Sequence, residues 1–147
     1  EIAAYDLFPK KNAPEYLHYG TLEEVLSKSD IVTLHCPLTE DSRNLINQDR
    51  IAQMKKGAIL INAARGPIVD SKALADALNS GYLRGAGVDV FEMEPPLPMD
   101  HPLLHSINTI VTPHIAFASD ESMEIRAKIV FENIQKWMNK EQVNTIL

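Results

Sequence analysis

GAILINAARGPIVD, residues Gly57 to Asp70, is the stretch whose reading decides the fold. Ala58 to Ile61 is a short apolar run without alternation, the pattern of a strand covered on both faces. Asn62, Ala63 and Ala64 are small and allow close approach. Arg65 follows at once, on a turn marked by Gly66 and Pro67. Asp70 is placed to cap a helix running through Leu78. Arg65 therefore stands just past the carboxyl end of a parallel strand, the edge at which open α/β sheets bind ligands. A guanidinium fixed there suits a carboxylate, which it can grip with two parallel hydrogen bonds.

Working outward, the chain alternates strands and helices. Ile2 to Tyr5 reads as a strand ending at Asp6, and Pro9 to Pro14 as loop. Thr21 and Glu24 have capping-box spacing, with Leu22, Val25 and Leu26 on one helix face. Ile31 to Leu34 is a strand closed by Pro37, and Thr39 to Arg43 is polar loop. Asn47 caps a helix carrying Ile51 and Met54 that ends at Gly57. After the central strand, Ala73, Leu74, Ala77 and Leu78 line a helix that stops at Gly81. Gly85 to Val90 is a strand of small residues, in which Gly85 and Gly87 serve close packing instead of phosphate binding. Glu92 to Pro102 holds four of the nine prolines and is irregular. Thr109 to Val111 is the last strand, followed by Pro113 and His114. Ser119 caps a long helix with Met123, Ala127, Val130, Ile134, Trp137 and Met138 expected on its buried face. The pattern is a parallel sheet with helices on both faces.

The 147 residues carry a net charge of −6, with 14 basic against 20 acidic side chains, which argues against a nucleic-acid or membrane surface. No apolar run approaches the roughly 20 residues of a membrane helix. The single cysteine, Cys36, permits no internal disulfide, and the first residues show no secretory pattern. A cytoplasmic protein is expected. Cys36 lies at an apolar strand end, where thiols are usually inert. His101 and His105 have the i, i+4 spacing of a metal pair but no third ligand, so a short solvated helix is expected there, and no metal.

Four stretches, DIVTLHCPLT (Asp30 to Thr39), LINAARGPIVD (Leu60 to Asp70), GAGVDVFEMEP (Gly85 to Pro95) and TPHIAF (Thr112 to Phe117), resemble the nucleotide-binding domain of the D-isomer-specific 2-hydroxyacid dehydrogenases in order and spacing. The resemblance implies a Rossmann-like, doubly wound parallel sheet and NAD-linked hydride transfer between a D-2-hydroxy acid and a 2-keto acid, in a homodimer. It further implies that residues 1–118 are a partial NAD-binding domain without its central first strand and Gly-rich loop. Residues 119–147 would be a long helix and tail returning to a substrate-binding domain. A gap, or a segment filling it, is then expected between the strand ending at Asp6 and the strand before Arg65, and the chain alone should be inactive. Relatives of the family that act as corepressors, binding NAD to control assembly with peptide partners, are the alternative.

The same resemblance distributes the chemistry. Arg65 would hold the substrate carboxylate and polarise the carbonyl. His114 would protonate the substrate oxygen, a task suited to a group that titrates near neutrality. Glu94 would be the carboxylate that pairs with the histidine, in preference to its neighbour Glu92. Asp6 would accept hydrogen bonds from the adenosine ribose diol and favour NAD over NADP. Asp89 would hold the nicotinamide amide, and Cys36, Pro37, Ala63 and Ala64 would line the cofactor site together with Arg65 and His114. Taken singly, an arginine after a strand is more often a surface ion pair and a histidine after proline a loop hydrogen-bonder.

Overall fold

A computed structural model describes residues 1–93 and 96–145, in two units, Glu1–Pro113 and His114–Leu147. The first unit contains β1 (Ile2–Ala4), β2 (Leu17–Tyr19), α1 (Leu22–Lys28), β3 (Ile31–Leu34), α2 (Gln48–Gln53), β4 (Ile59–Asn62), α3 (Ser71–Asn79), β5 (Gly85–Val88) and β6 (Thr109–Val111). Short 3-10 turns occupy Gly66–Ile68 and Pro102–Leu104. The second unit contains α4 (Asp120–Met138).

All strand pairings between these elements are parallel, as the alternation predicts, but they form two sheets. β1 pairs with β2, and β3-β4-β5-β6 form a separate four-stranded sheet. The break does not border the strand before Arg65. β4 is bonded on both sides, to β3 and β5, so β3 is the strand whose outer side starts the second sheet. The misplacement traces to β2, a three-residue strand with His18 at its centre that gives no apolar signal. Counting it moves each later strand one place along the sheet.

The core lies on one face of the four-stranded sheet. Val32, Leu34, Leu60, Ala86 and Val88 pack with Leu26 of α1, Ile51 of α2 and Leu74, Ala75 and Leu78 of α3 in one cluster. Burying each such leucine or valine stabilises the fold by about 1.5–3 kcal/mol. The opposite face carries Ile31, Ile61 and Ile110, exposed by 56%, 37% and 73%. β4 thus alternates in burial although its sequence does not: Leu60 and Asn62 point inward and Ile61 outward.

The helix starts carry the expected caps. Thr21 and Glu24 form a reciprocal capping box, Asn47 accepts from the Arg50 N–H, and Asp70 accepts from the Ala73 N–H. Gly57 and Gly81 take φ of 83° and 71°, the left-handed turns that end the segments before them. Ser119 caps α4, which is helical throughout but has no buried residue. Its expected buried face is therefore corrected: Met123, Val130, Ile134, Trp137 and Met138 are all exposed, and Trp137 is not a core residue here.

Candidate active site

The register aligns the last residues of four strands in one row: Leu34, Asn62, Val88 and Val111. The segments leaving these strands therefore collect along one carboxyl edge. Cys36 and Pro37 come after β3, Ala63 to Arg65 after β4, Asp89 after β5 and Thr112 after β6.

The Arg65 turn is pinned from three sides. Asn62, 2% exposed, accepts from the Ala64 N–H at 3.1 Å and donates its amide to the Arg65 carbonyl at 3.1 Å. Gly66 lies so close to the chain beyond β5 that an added Cβ would sit 1.8 Å from the Phe91 carbonyl carbon and oxygen. Any side chain there would push the turn off the strand end. On the remaining side, the Ile46 N–H donates to the Ile68 carbonyl and the Asp70 N–H to the Ile46 carbonyl. The guanidinium itself is exposed, donating to the Ala64 carbonyl at 2.7 Å. A rigid backbone thus presents a solvent-facing cation.

Beside it Asp89 is buried, its N–H donating to the Asn62 carbonyl and its carboxylate accepting from the Thr112 hydroxyl. Cys36 is half-buried, and burial pushes its thiol pKa up against a smaller lowering from its own backbone N–H, which suits a packing residue over a thiolate. Gly85 and Gly87 lie inside β5, with Gly87 facing the Ile61 side chain.

Asp6 lies just past β1, in the two-stranded sheet, with its carboxylate accepting from the Phe8 N–H at 2.8 Å. His114 begins the second unit with φ of 57°, a left-handed conformation that non-glycine residues adopt uncommonly. Glu94 falls outside the described residues.

The 91–105 segment differs from expectation. His101 is buried, 4% exposed, not on a solvated helix. Its Nε2 lies 3.1 Å from Glu92 Oε1, and its Nδ1 accepts from the Leu103 N–H. His105 contacts the Met99 carbonyl at 2.6 Å. The two histidines point into different bonds, and among the described residues no cluster of three or more His, Cys, Asp or Glu could hold a metal. Burial raises the pKa of Glu92, but its own backbone N–H, the Ser71 hydroxyl and His101 outweigh it and hold the carboxyl below its usual range. Sequence reasoning missed Asn62, Thr112 and His101 as working parts. The one available signal was a polar side chain closing an apolar strand, as Asn62 does.

The residues suit a dinucleotide at this edge: small side chains at Ala63 and Ala64, a buried carboxylate at Asp89 and an exposed cation at Arg65. Comparison with known proteins agrees. Residues 1–116 match the family model described as D-isomer specific 2-hydroxyacid dehydrogenase, NAD binding domain. The chain is 39% identical over 147 residues to a hydroxypyruvate reductase of Blautia hydrogenotrophica, covering 99% of this chain and 45% of that protein. It is 47% identical over 118 residues to a glyoxylate reductase of Thermofilum pendens, covering 80% and 34%. The crystal structure of D-lactate dehydrogenase with NAD+ from Lactobacillus jensenii superposes with a TM-score of 0.88 at 32% identity, covering 100% of this chain and 48% of that one. The chain spans less than half the length of each of these relatives.

Proposed function

Since the chain belongs to the D-isomer specific 2-hydroxyacid dehydrogenase family, matching its NAD-binding domain, we propose that the protein interconverts a D-2-hydroxy acid and a 2-keto acid by NAD-dependent hydride transfer. The observation that carries this reading is the Arg65 turn. An exposed guanidinium is fixed at the carboxyl edge by Asn62, by the Gly66–Phe91 approach and by residues 44–46. Such a group binds a substrate carboxylate with defined orientation and stabilises charge growing on the adjacent carbonyl oxygen.

The remaining roles are those that the family implies for these positions. His114 gives its proton to the keto oxygen during reduction and takes it back during oxidation. Glu94 pairs with His114 and favours its protonated form. Asp6 accepts from the ribose diol and repels a 2′-phosphate. Asp89 accepts from the carboxamide, while Cys36, Pro37, Ala63 and Ala64 shape the cofactor site. Bound NADH would supply the hydride. We read residues 1–118 as the nucleotide-binding part and 119–147 as the return to a substrate-binding domain, supported by the uncovered apolar side chains of α4. A cytoplasmic homodimer acting on a small acid fits the lone cysteine and the acidic charge. Among the described residues no helix is long and apolar enough to cross a membrane.

The test is steady-state kinetics on the full-length protein with NADH and glyoxylate, hydroxypyruvate and pyruvate. His114→Ala should lower kcat for reduction by about 10²–10⁴ while NADH affinity is little changed. Near-wild-type turnover in that variant removes His114 from the mechanism. No turnover by the wild type with any 2-keto acid favours the corepressor reading. The same assay should show a higher kcat/KM for NADH than for NADPH, and the reverse order contradicts the role given to Asp6.

A further inference from the structure

Residues 38–44 carry no group used in the chemistry above, yet one buried hydroxyl organises them. Ser42, 8% exposed, donates to the Pro37 carbonyl at 2.8 Å and accepts from the Thr39 N–H at 2.7 Å. The Ser42 N–H in turn donates to the Thr39 hydroxyl at 3.2 Å. Three residues on, the Leu45 N–H donates back to the Ser42 carbonyl and closes a four-residue turn. Asn44, third in that turn, has φ of 51°. Asparagine tolerates this left-handed conformation, whereas a β-branched residue resists it. The Asn44 side chain is exposed, so what the position supplies inward is its backbone.

That backbone ends on the Arg65 turn. The Asn44 N–H donates to the Pro67 carbonyl at 2.8 Å, and the Ile46 N–H to the Ile68 carbonyl at 2.9 Å. The Arg65 and Gly66 carbonyls accept from the Asn62 amide and the Val69 N–H. Two of the four carbonyls of residues 65–68 thus depend on the loop before α2. At its other end Ser42 ties the same loop to Pro37, which follows β3 at the same carboxyl edge. Displacing a reacting or binding group by about 1 Å can cost roughly 10²-fold in rate.

We propose that Asn44 and Ser42 are positioning residues for Arg65. Asn44 holds the turn through an N–H that only a left-handed residue aims at the Pro67 carbonyl. Ser42 ties that hold to the exit of β3, so that Pro37 and Arg65 are set as one unit. The inference rests on the reading of Arg65 as the group that binds the substrate carboxylate.

The experiment uses the full-length protein and whichever of glyoxylate, hydroxypyruvate and pyruvate it reduces fastest. It measures kcat and KM for the keto acid at saturating NADH, KM for NADH, and the Kd of oxamate with NADH bound. Arg65→Ala is the reference and should weaken both keto-acid reduction and oxamate binding. Asn44→Val should lower kcat/KM for the keto acid about tenfold or more and weaken oxamate in step, with KM for NADH unchanged. Asn44→Gly keeps the N–H and the left-handed backbone and should stay near wild type. Ser42→Ala should resemble Asn44→Val and also raise KM for NADH, because Pro37 is released with it. In the Arg65→Ala background neither variant should lower keto-acid kcat/KM further, the mark of action through Arg65. Suppose Arg65→Ala impairs the keto acid while Asn44→Val and Ser42→Ala do not, or cost as much without Arg65. The positioning role is then overturned and the reading of Arg65 stands. If Arg65→Ala changes neither reduction nor oxamate binding, or the wild type shows neither, both fall. An Asn44→Gly variant as damaged as Asn44→Val assigns the effect to the side chain and overturns the inference. Should either disruptive variant fail to fold, Asn44→Ala decides. It strains an exposed position less than valine does, and unchanged keto-acid kcat/KM and oxamate affinity there overturn the positioning role.

Discussion

Helices α3 and α4 are specified by the same local signals and have opposite fates. Each begins at a side-chain cap, Asp70 for α3 and Ser119 for α4, and each carries apolar residues at helical spacing. In α3, Leu74, Ala75 and Leu78 are buried against the sheet. In the longer α4 no residue is buried, and Phe131, Trp137 and Met138 are exposed by 75%, 66% and 71%. The difference shows what a sequence encodes locally. Caps and periodicity decide where a helix starts and which face is apolar, whereas burial of that face depends on a partner.

Paired truncations put the largest expected effect on this comparison. Leu78→Ala should destabilise residues 1–147 by about 2–5 kcal/mol, the range for deleting a buried leucine side chain. Ile134→Ala, on the apolar face of α4 but 51% exposed, should change unfolding by no more than about 0.5 kcal/mol. Equilibrium denaturation of both variants gives the two numbers directly. A loss at Ile134 that matches Leu78 would show that something covers α4 in solution, and the contrast between the helices would disappear.

The same division explains what could be read in advance. β3 and β6 fall on their expected residues, and the capping positions Thr21, Asn47, Asp70 and Ser119 all act as expected, because each depends on neighbours within a few residues. β2 was not legible, since three residues with a central histidine carry no periodic signal. Missing it also misplaced the break in the sheet by one strand. For the site, the position of Arg65 past β4 was legible from a strand, small residues and a turn. The contacts that hold it there were not. The Gly66 approach to Phe91 and the Glu92–His101 bond join residues distant in sequence, and only the packed chain brings them together. His101 shows the limit plainly: its spacing to His105 suggested a solvated helix, but burial and Glu92 decided its role.

Removing the two caps sharpens the comparison with the smallest effect. Asp70 Oδ1 accepts from the Ala73 N–H at 2.9 Å, and Ser119 and Ser122 satisfy one another's backbone N–H groups at 3.2 and 3.1 Å. Losing such a cap leaves a helix donor unsatisfied and costs about 0.5–2 kcal/mol. Where that loss is felt depends on coupling. Because α3 packs into the core, Asp70→Ala should lower global stability by about 1 kcal/mol and shift the denaturation midpoint. Because no residue of α4 is buried, Ser119→Ala should instead fray the first turn of α4 and leave the midpoint nearly unchanged. Hydrogen exchange at the Ser122 and Met123 amides reads the local effect, and denaturant unfolding reads the global one. If Ser119→Ala moves the midpoint as far as Asp70→Ala does, α4 unfolds with the core and its exposed face does not make it independent. If neither midpoint moves while the amides of both first turns lose protection, then α3 frays as freely as α4, and burial of Leu74 and Leu78 does not extend cooperativity to the start of the helix.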